Sequence, residues 1–242
     1  MNIKNGLKLI KINIKESFIE NKQIILLSSL LFIVPLFLGF LFPSNLGKFL
    51  DPILDAFKQK IINGDVKLTF DSIFINNFKA ILIEYIGAIF FGLITMANLV
   101  FNGLLIGYFG SQIELKTFLL GIIPHGIFEI PGIIIGAAAG FILLLFMFKF
   151  IKDFVLYNSD LNSIKYSCKG DTNGNYYDDE YFKRYDGYLS TTNTSKRFSY
   201  GMDNNYKKLK QSITLFLIAS ILIAIAAIIE TRVTLEIVHF FS

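Results

Sequence analysis

Long apolar runs separated by short polar breaks set the pattern of this chain. Ile24 to Phe42 is the first run, about 19 residues, enough to cross a hydrocarbon core. Pro35 within it is expected to kink a helix there. Ala80 to Ile123 is apolar almost throughout. As one helix it would reach about 66 Å, so it must be two passes or one broken pass. Asn102-Gly103 is the expected break. Gln112, Glu114 and Lys116 interrupt the second half, which is either a pass or a re-entrant segment. Gly132 to Phe150 forms the next span, closed by Lys149 and Lys152. Ile213 to Ile229 is the last, followed by a tail with Glu230, Arg232, Glu236 and His239.

Amphipathic patterns flank these runs. Residues 1 to 23 place Leu7, Ile10, Ile14 and Phe18 on one stripe with lysines elsewhere, as in a helix lying on a membrane surface. In residues 43 to 79, Phe49, Leu50, Ile53, Leu54, Phe57 and Ile61 recur at helical spacing opposite Lys48, Asp51, Asp55 and Lys58. That predicts a second interfacial helix, ended by a turn at Asn63-Gly64-Asp65. Residues 153 to 211 are polar, tyrosine-rich and poor in aliphatic side chains, and are expected to be a loosely ordered loop. The expected fold is all-α: a polytopic integral membrane helical bundle of about five transmembrane helices, one broken or kinked, with interfacial amphipathic helices. Its parts are the N-terminal helix (1–23), the bundle of spans one to four (24–152), the loop (153–211), and the last span with its tail (212–242).

Composition agrees. The 242 residues are 53% hydrophobic, above what is usual for a soluble domain. The net charge of +4 fits lysines at the inner face of a membrane rather than nucleic-acid binding, because no basic run is interleaved with aromatics. The first apolar run is full span length and lacks a small-residue cleavage pattern, so it is read as an anchor that stays. Lysines and arginines concentrate in the N-terminal segment and in 153–211. Both are therefore expected to be cytoplasmic, with residues 43–79 and the C-terminus outside.

Candidate chemistry centres on Pro124-His125-Gly126-Ile127-Phe128-Glu129-Ile130-Pro131. An ionisable group at the bilayer centre costs about 2.5–3.5 kcal/mol on insertion scales, so such groups are rare. Helical spacing puts His125 and Glu129 on one face. With five passes, Glu84, His125, Glu129, Glu230 and Arg232 all fall in the outer half of the bundle, and an intramembrane polar cluster of both signs is expected there. Gly132, Gly136 and Gly140 recur every fourth residue, a pattern for close helix packing that fits intramolecular contact better than a dimer seam.

Several functions are disfavoured by the residues. His125 and Glu129 supply only two metal ligands; Glu84 and Glu230 complete a set only if the fold brings them near, so a structural ion pair or hydrogen bond is the favoured reading, with no metal and no cofactor. No His-Glu-x-x-His and no phosphate-binding Gly-x-x-x-x-Gly-Lys motif occurs. The single cysteine, Cys168, excludes an intrachain disulfide and has no histidine near it in sequence. Asp171-Thr172-Asn173-Gly174-Asn175 lacks the glycine and glutamate a calcium loop needs, since Tyr176 and Phe182 stand at those positions. The sequon Asn193-Thr194-Ser195 is expected inside and unused.

Three pieces resemble the integral membrane family named for stage II sporulation protein M. They are Asn76-Asn77 ahead of the second span; Asn102-Gly103-Leu104-Leu105-Ile106-Gly107 with the Pro124 to Pro131 segment and the glycine-rich span; and Ala226-Ala227-Ile228-Ile229-Glu230. Together they cover roughly residues 20 to 235. The resemblance implies a five-span helical protein, a membrane component with no assigned catalytic activity. Its sporulation member works in an engulfment complex with peptidoglycan-degrading proteins, while relatives occur in organisms that do not sporulate. The tyrosine-rich stretch is longer than the family pattern. The expectation is a non-enzymatic scaffold or complex subunit contacting lipid and other membrane or envelope proteins, with self-association allowed and no nucleic acid. A permease-like subunit needing a separate ATPase is the alternative. An intramembrane hydrolase using Glu129 and His125 ranks third.

Overall fold

A computed structural model describes residues 3–63, 69–167 and 193–241. They form seven helices and no strand: α1 (Ile3–Glu20), α2 (Lys22–Leu41), α3 (Pro43–Ile62), α4 (Phe70–Gly87), α5 (Leu93–Gln112), α6 (Leu115–Ser167) and α7 (Asn193–Phe241). Four segments are long and apolar enough to cross a membrane: Lys22–Leu41, Leu93–Gln112, Ile123–Leu156 and Asn205–Arg232. Helix α4 is not among them, since Asp71, Asn76, Asn77, Lys79 and Glu84 interrupt its apolar residues. Residues 1–144 with 211–242 form one compact unit and 145–210 another.

Two seams hold the first unit. In the first, α2 lies against α5 with no side chain between them at the closest points. A Cβ on Gly103 would collide with the carbonyl oxygen of Phe32, one on Gly107 with that of Leu36, and one on Gly39 with that of Leu104. The contacts advance together along both helices, so α2 and α5 run in the same direction. In the second seam, the glycine ladder of α6 faces its own neighbours. A Cβ on Gly132 would press on Ile223 of α7, one on Gly136 on Ile81 of α4, and one on Gly140 would stand 2.7 Å from the carbonyl oxygen of Glu84. The ladder is intramolecular, as expected. Helices α4 and α6 run together and α7 runs against them, so α2, α5 and α7 point one way and α4 and α6 the other. Phe32, Ile81, Leu99, Ile142, Leu215 and Ile223 fill the core between the helices and are fully buried.

Helices form at both amphipathic stretches, as α1 and α3, and each docks by one edge. Phe18 of α1 packs on the core, while Ile10 and Ile19 stay exposed. Leu50 and Leu54 of α3 are buried against Tyr108 of α5, whose hydroxyl donates to Asp51. Phe49 remains 75% exposed, so the apolar stripe of α3 splits between protein contact and an outward face.

The breaks differ from those expected. Asn102 and Gly103 lie in mid-α5, where Gly103 serves the seam with α2 instead of ending a helix. The break is at residues 88–92, where Phe91 (φ 56°) and Gly92 (φ 72°) adopt left-handed backbone and reverse the chain. Gly92 suits the turn twice over: its φ favours glycine, and a Cβ there would stand 3.1 Å from the Phe141 ring. A second break falls at Ile113–Glu114. Asn76 and Asn77 lie inside α4, which begins at Phe70 rather than near Ala80. Pro124, Gly126 and Pro131 lie inside α6, which runs through both prolines; spanning helices tolerate proline where neighbours re-satisfy the freed carbonyls. Pro35 is likewise inside α2.

The loop expected at 153–211 is helical at its two ends, and residues 168–192 lie outside the described residues. Helix α6 continues to Ser167 and α7 starts at Asn193. A helix already nucleated by its apolar segment extends into polar sequence without a new nucleation cost. Within that unit Asn205 donates to Asp153 at 2.8 Å. Cys168, the Asp171–Asn175 stretch and most of the tyrosines fall outside the described residues.

Gly107→Ala is expected to lower the stability of the purified protein by about 1–3 kcal/mol, because the α2 backbone must move away. Ala97→Leu, on the exposed face of α5, should leave it nearly unchanged. Unfolding in a denaturing-detergent titration measures both; equal stability of the glycine variant and the wild type would refute the seam.

Candidate functional site

The structure separates the expected five-residue cluster into two sites at different depths. The cause is the start of α4. With the helix beginning at Phe70, Glu84 sits near its far end, beside Gly140 of α6, not at its entry. Gly140 lies about 16 Å along α6 from Glu129, at about 1.5 Å per residue.

The first site is built around Glu84, which is completely buried. Its partners come from α5 across the turn at 88–92. Asn98 donates to its Oε1 at 3.2 Å, and Asn102, one turn on, faces the same carboxyl. Thr95 donates to the Glu84 backbone carbonyl at 2.6 Å. Oε2 is buried with no hydrogen-bond partner. Further polar contacts join the other helices of the unit. Ser212 of α7 donates to the Ala139 carbonyl at 2.8 Å and pairs with the Tyr85 hydroxyl at 3.1 Å. Asn21, between α1 and α2, donates to Gln211 at 3.1 Å, and Gln211 donates to Glu20 at 2.8 Å. These bonds between helices stitch together elements that apolar packing alone would leave free to slide. Sequence reasoning missed Asn98 as a partner; its spacing of one turn from Asn102 in an otherwise apolar run was the available signal.

The second site joins His125 and Glu129 of α6 to Glu230 of α7, bringing one ligand atom from each within 4.8 Å of the others. The His125 Nε2 to Glu129 Oε2 distance is 3.8 Å, with the side chains 16% and 21% exposed. His125 Nδ1 is buried and has no hydrogen-bond partner. Arg232 does not join: it is exposed and shows no ion pair among the described residues. The side chains of Glu236 and His239 lie outside the described residues.

A closely packed helical bundle with several spanning segments and half-buried ionisable groups defines a multi-pass membrane protein. The sequence pattern of the family described as stage II sporulation protein M matches residues 28–235, and the chain belongs to that family. An uncharacterized protein of Methanocaldococcus jannaschii is 38% identical over 122 residues, which are 48% of this chain and 66% of that protein. A second uncharacterized protein of the same organism is 29% identical over 136 residues, 52% of this chain and 62% of its own length. The aligned regions thus span just under two thirds of these relatives. No solved structure matches.

Substitutions at Glu84 and Glu129 should be additive in stability to within about 0.5 kcal/mol, since the residues share no partner. Those at His125 and Glu129 should not be. A double-mutant cycle on thermal unfolding, using Glu84→Gln, Glu129→Gln and His125→Ala, tests the division. Strong coupling between Glu84 and Glu129 would restore a single cluster.

Proposed function

We propose that this chain is a non-enzymatic membrane scaffold or complex subunit that organises cell-envelope partners. Family membership is the observation that carries the reading. The packing supports it: backbone-to-backbone seams at Gly103, Gly107 and Gly140 favour a rigid body with fixed surfaces. The contact regions are the outward face of α3, with Phe49 and Ile53 exposed, and the polar sequence of residues 153–211. We place the N-terminus and residues 153–211 in the cytoplasm and the C-terminus outside, following the lysine and arginine distribution. The alternating directions of α2, α4, α5, α6 and α7 are compatible with that arrangement.

Gentle extraction from native membranes, affinity purification and mass spectrometry should recover cell-envelope proteins in stoichiometric amount. A nucleotide-binding ATPase in their place would overturn the scaffold reading in favour of a permease subunit. Deleting residues 160–205 is expected to abolish recovery of cytoplasmic-side partners while the remaining bundle keeps its thermal stability. Undiminished recovery would remove that stretch as a contact surface.

A further inference from the structure

We infer that His125, Glu129 and Glu230 form a three-ligand site for a divalent transition-metal ion of the zinc class, joining α6 to α7. Sequence spacing supplies only the His125–Glu129 pair. The fold adds Glu230 from a helix far along the chain, and one ligand atom from each of the three then lies within 4.8 Å of the others. Imidazole nitrogen and carboxylate oxygen are both zinc ligands, and three protein ligands leave a fourth position for water. The imidazole argues against the hard cations magnesium and calcium, which take oxygen ligands.

The contacts within the trio are poor as they stand and would be good around an ion. His125 Nε2 stands 3.8 Å from Glu129 Oε2, beyond hydrogen-bond reach. Two ligands on a tetrahedral ion with bonds of about 2.0–2.1 Å are about 3.3–3.4 Å apart, so a few tenths of an ångström of side-chain movement closes the pair. The buried Nδ1 of His125 also lacks a partner, so the ring is not held in place by hydrogen bonds at that atom. Either ring nitrogen can serve as the ligand. Glu129 and Glu230 are two carboxylates side by side in a half-buried setting, where like charges repel strongly. A dication between them reverses the sign of that interaction. The Glu84 site offers a contrast: its Oε2 is also unpartnered, but among the described residues it gathers no second carboxylate or imidazole. The partial exposure of His125 and Glu129 leaves an approach for the ion.

The test uses the full-length protein in detergent, stripped with a chelator, dialysed and titrated with zinc chloride by calorimetry. Elemental analysis after desalting provides the stoichiometry. One zinc per chain is expected, with Glu230→Gln and His125→Ala each weakening binding at least about tenfold. Glu114→Gln, outside the trio, should bind as the wild type does. Cobalt(II) loaded into the wild type should show the intense visible absorption of a four-coordinate ion, a readout that needs no variant to fold. The inference fails if the wild type, stripped and then reloaded with zinc chloride, retains no zinc after desalting. It also fails if His125→Ala and Glu230→Gln, with unchanged helix content, bind zinc as the wild type does.

Discussion

The approach of helix backbones at glycine is the constraint on which this structure depends. Inside a bilayer, lipid tails are as apolar as leucine, so burying apolar side chains gives helices little reason to prefer each other over lipid. What remains is packing and hydrogen bonding between helices, and both improve when backbones come close. Gly39, Gly103 and Gly107 bring α2 to within carbonyl contact of α5, and Gly132, Gly136 and Gly140 do the same for α6 against α7 and α4. These contacts fix register as well as distance. Because Gly140 sits on the Glu84 carbonyl, Tyr85 is set where Ser212 can reach it, and Ser212 can reach the Ala139 carbonyl.

The two polar sites show the same physics reaching different outcomes. A buried carboxyl is costly unless hydrogen-bonded, and Glu84 meets that cost in part through the Asn98 and Asn102 amides brought over by the turn at 88–92, with Oε2 left unpartnered. It reads as structural, tying α4 to α5 where α4 is too polar to hold its place by apolar surface alone. His125, Glu129 and Glu230 face one another, with His125 and Glu129 3.8 Å apart and His125 Nδ1 buried without a partner. A group of ionisable side chains gathered from two helices and left short of partners is what a binding site looks like before its ligand is counted.

Much of this was legible in the sequence, and the failures have physical causes. Apolar runs of span length, the amphipathic repeat of α3, the glycine ladder and the facing of His125 and Glu129 follow from helical periodicity, which is local. The break at 88–92 was not legible, because Ala-Ile-Phe-Phe-Gly carries neither proline nor asparagine, and a left-handed Phe91 is held by its tertiary setting. Asn102-Gly103 looked like a turn because the glycine's actual use, a close approach to Phe32, involves a helix some seventy residues earlier. Misplacing that break moved Glu84 to the wrong end of its helix, so one error produced the other. The helices in 153–167 and 193–210 escaped notice because their composition, taken alone, would not nucleate a helix.

Register links the seam to the second site. Glu129 lies one turn before Gly132 on α6, and Glu230 lies two turns beyond Ile223 on α7, while Gly132 and Ile223 are in contact. The helices run in opposite directions, so both steps lead toward the same end of the bundle. A slip of α7 by one helical turn would displace Glu230 by about 5.4 Å, more than the span of the whole ligand set. The glycine that permits the close approach therefore also determines whether Glu230 meets His125 and Glu129. Equally, an ion held by all three would resist that slip at the end of the seam where the glycine ladder stops. Packing and ligation act on the same coordinate, the sliding of α7 along α6, and each restrains what the other leaves free.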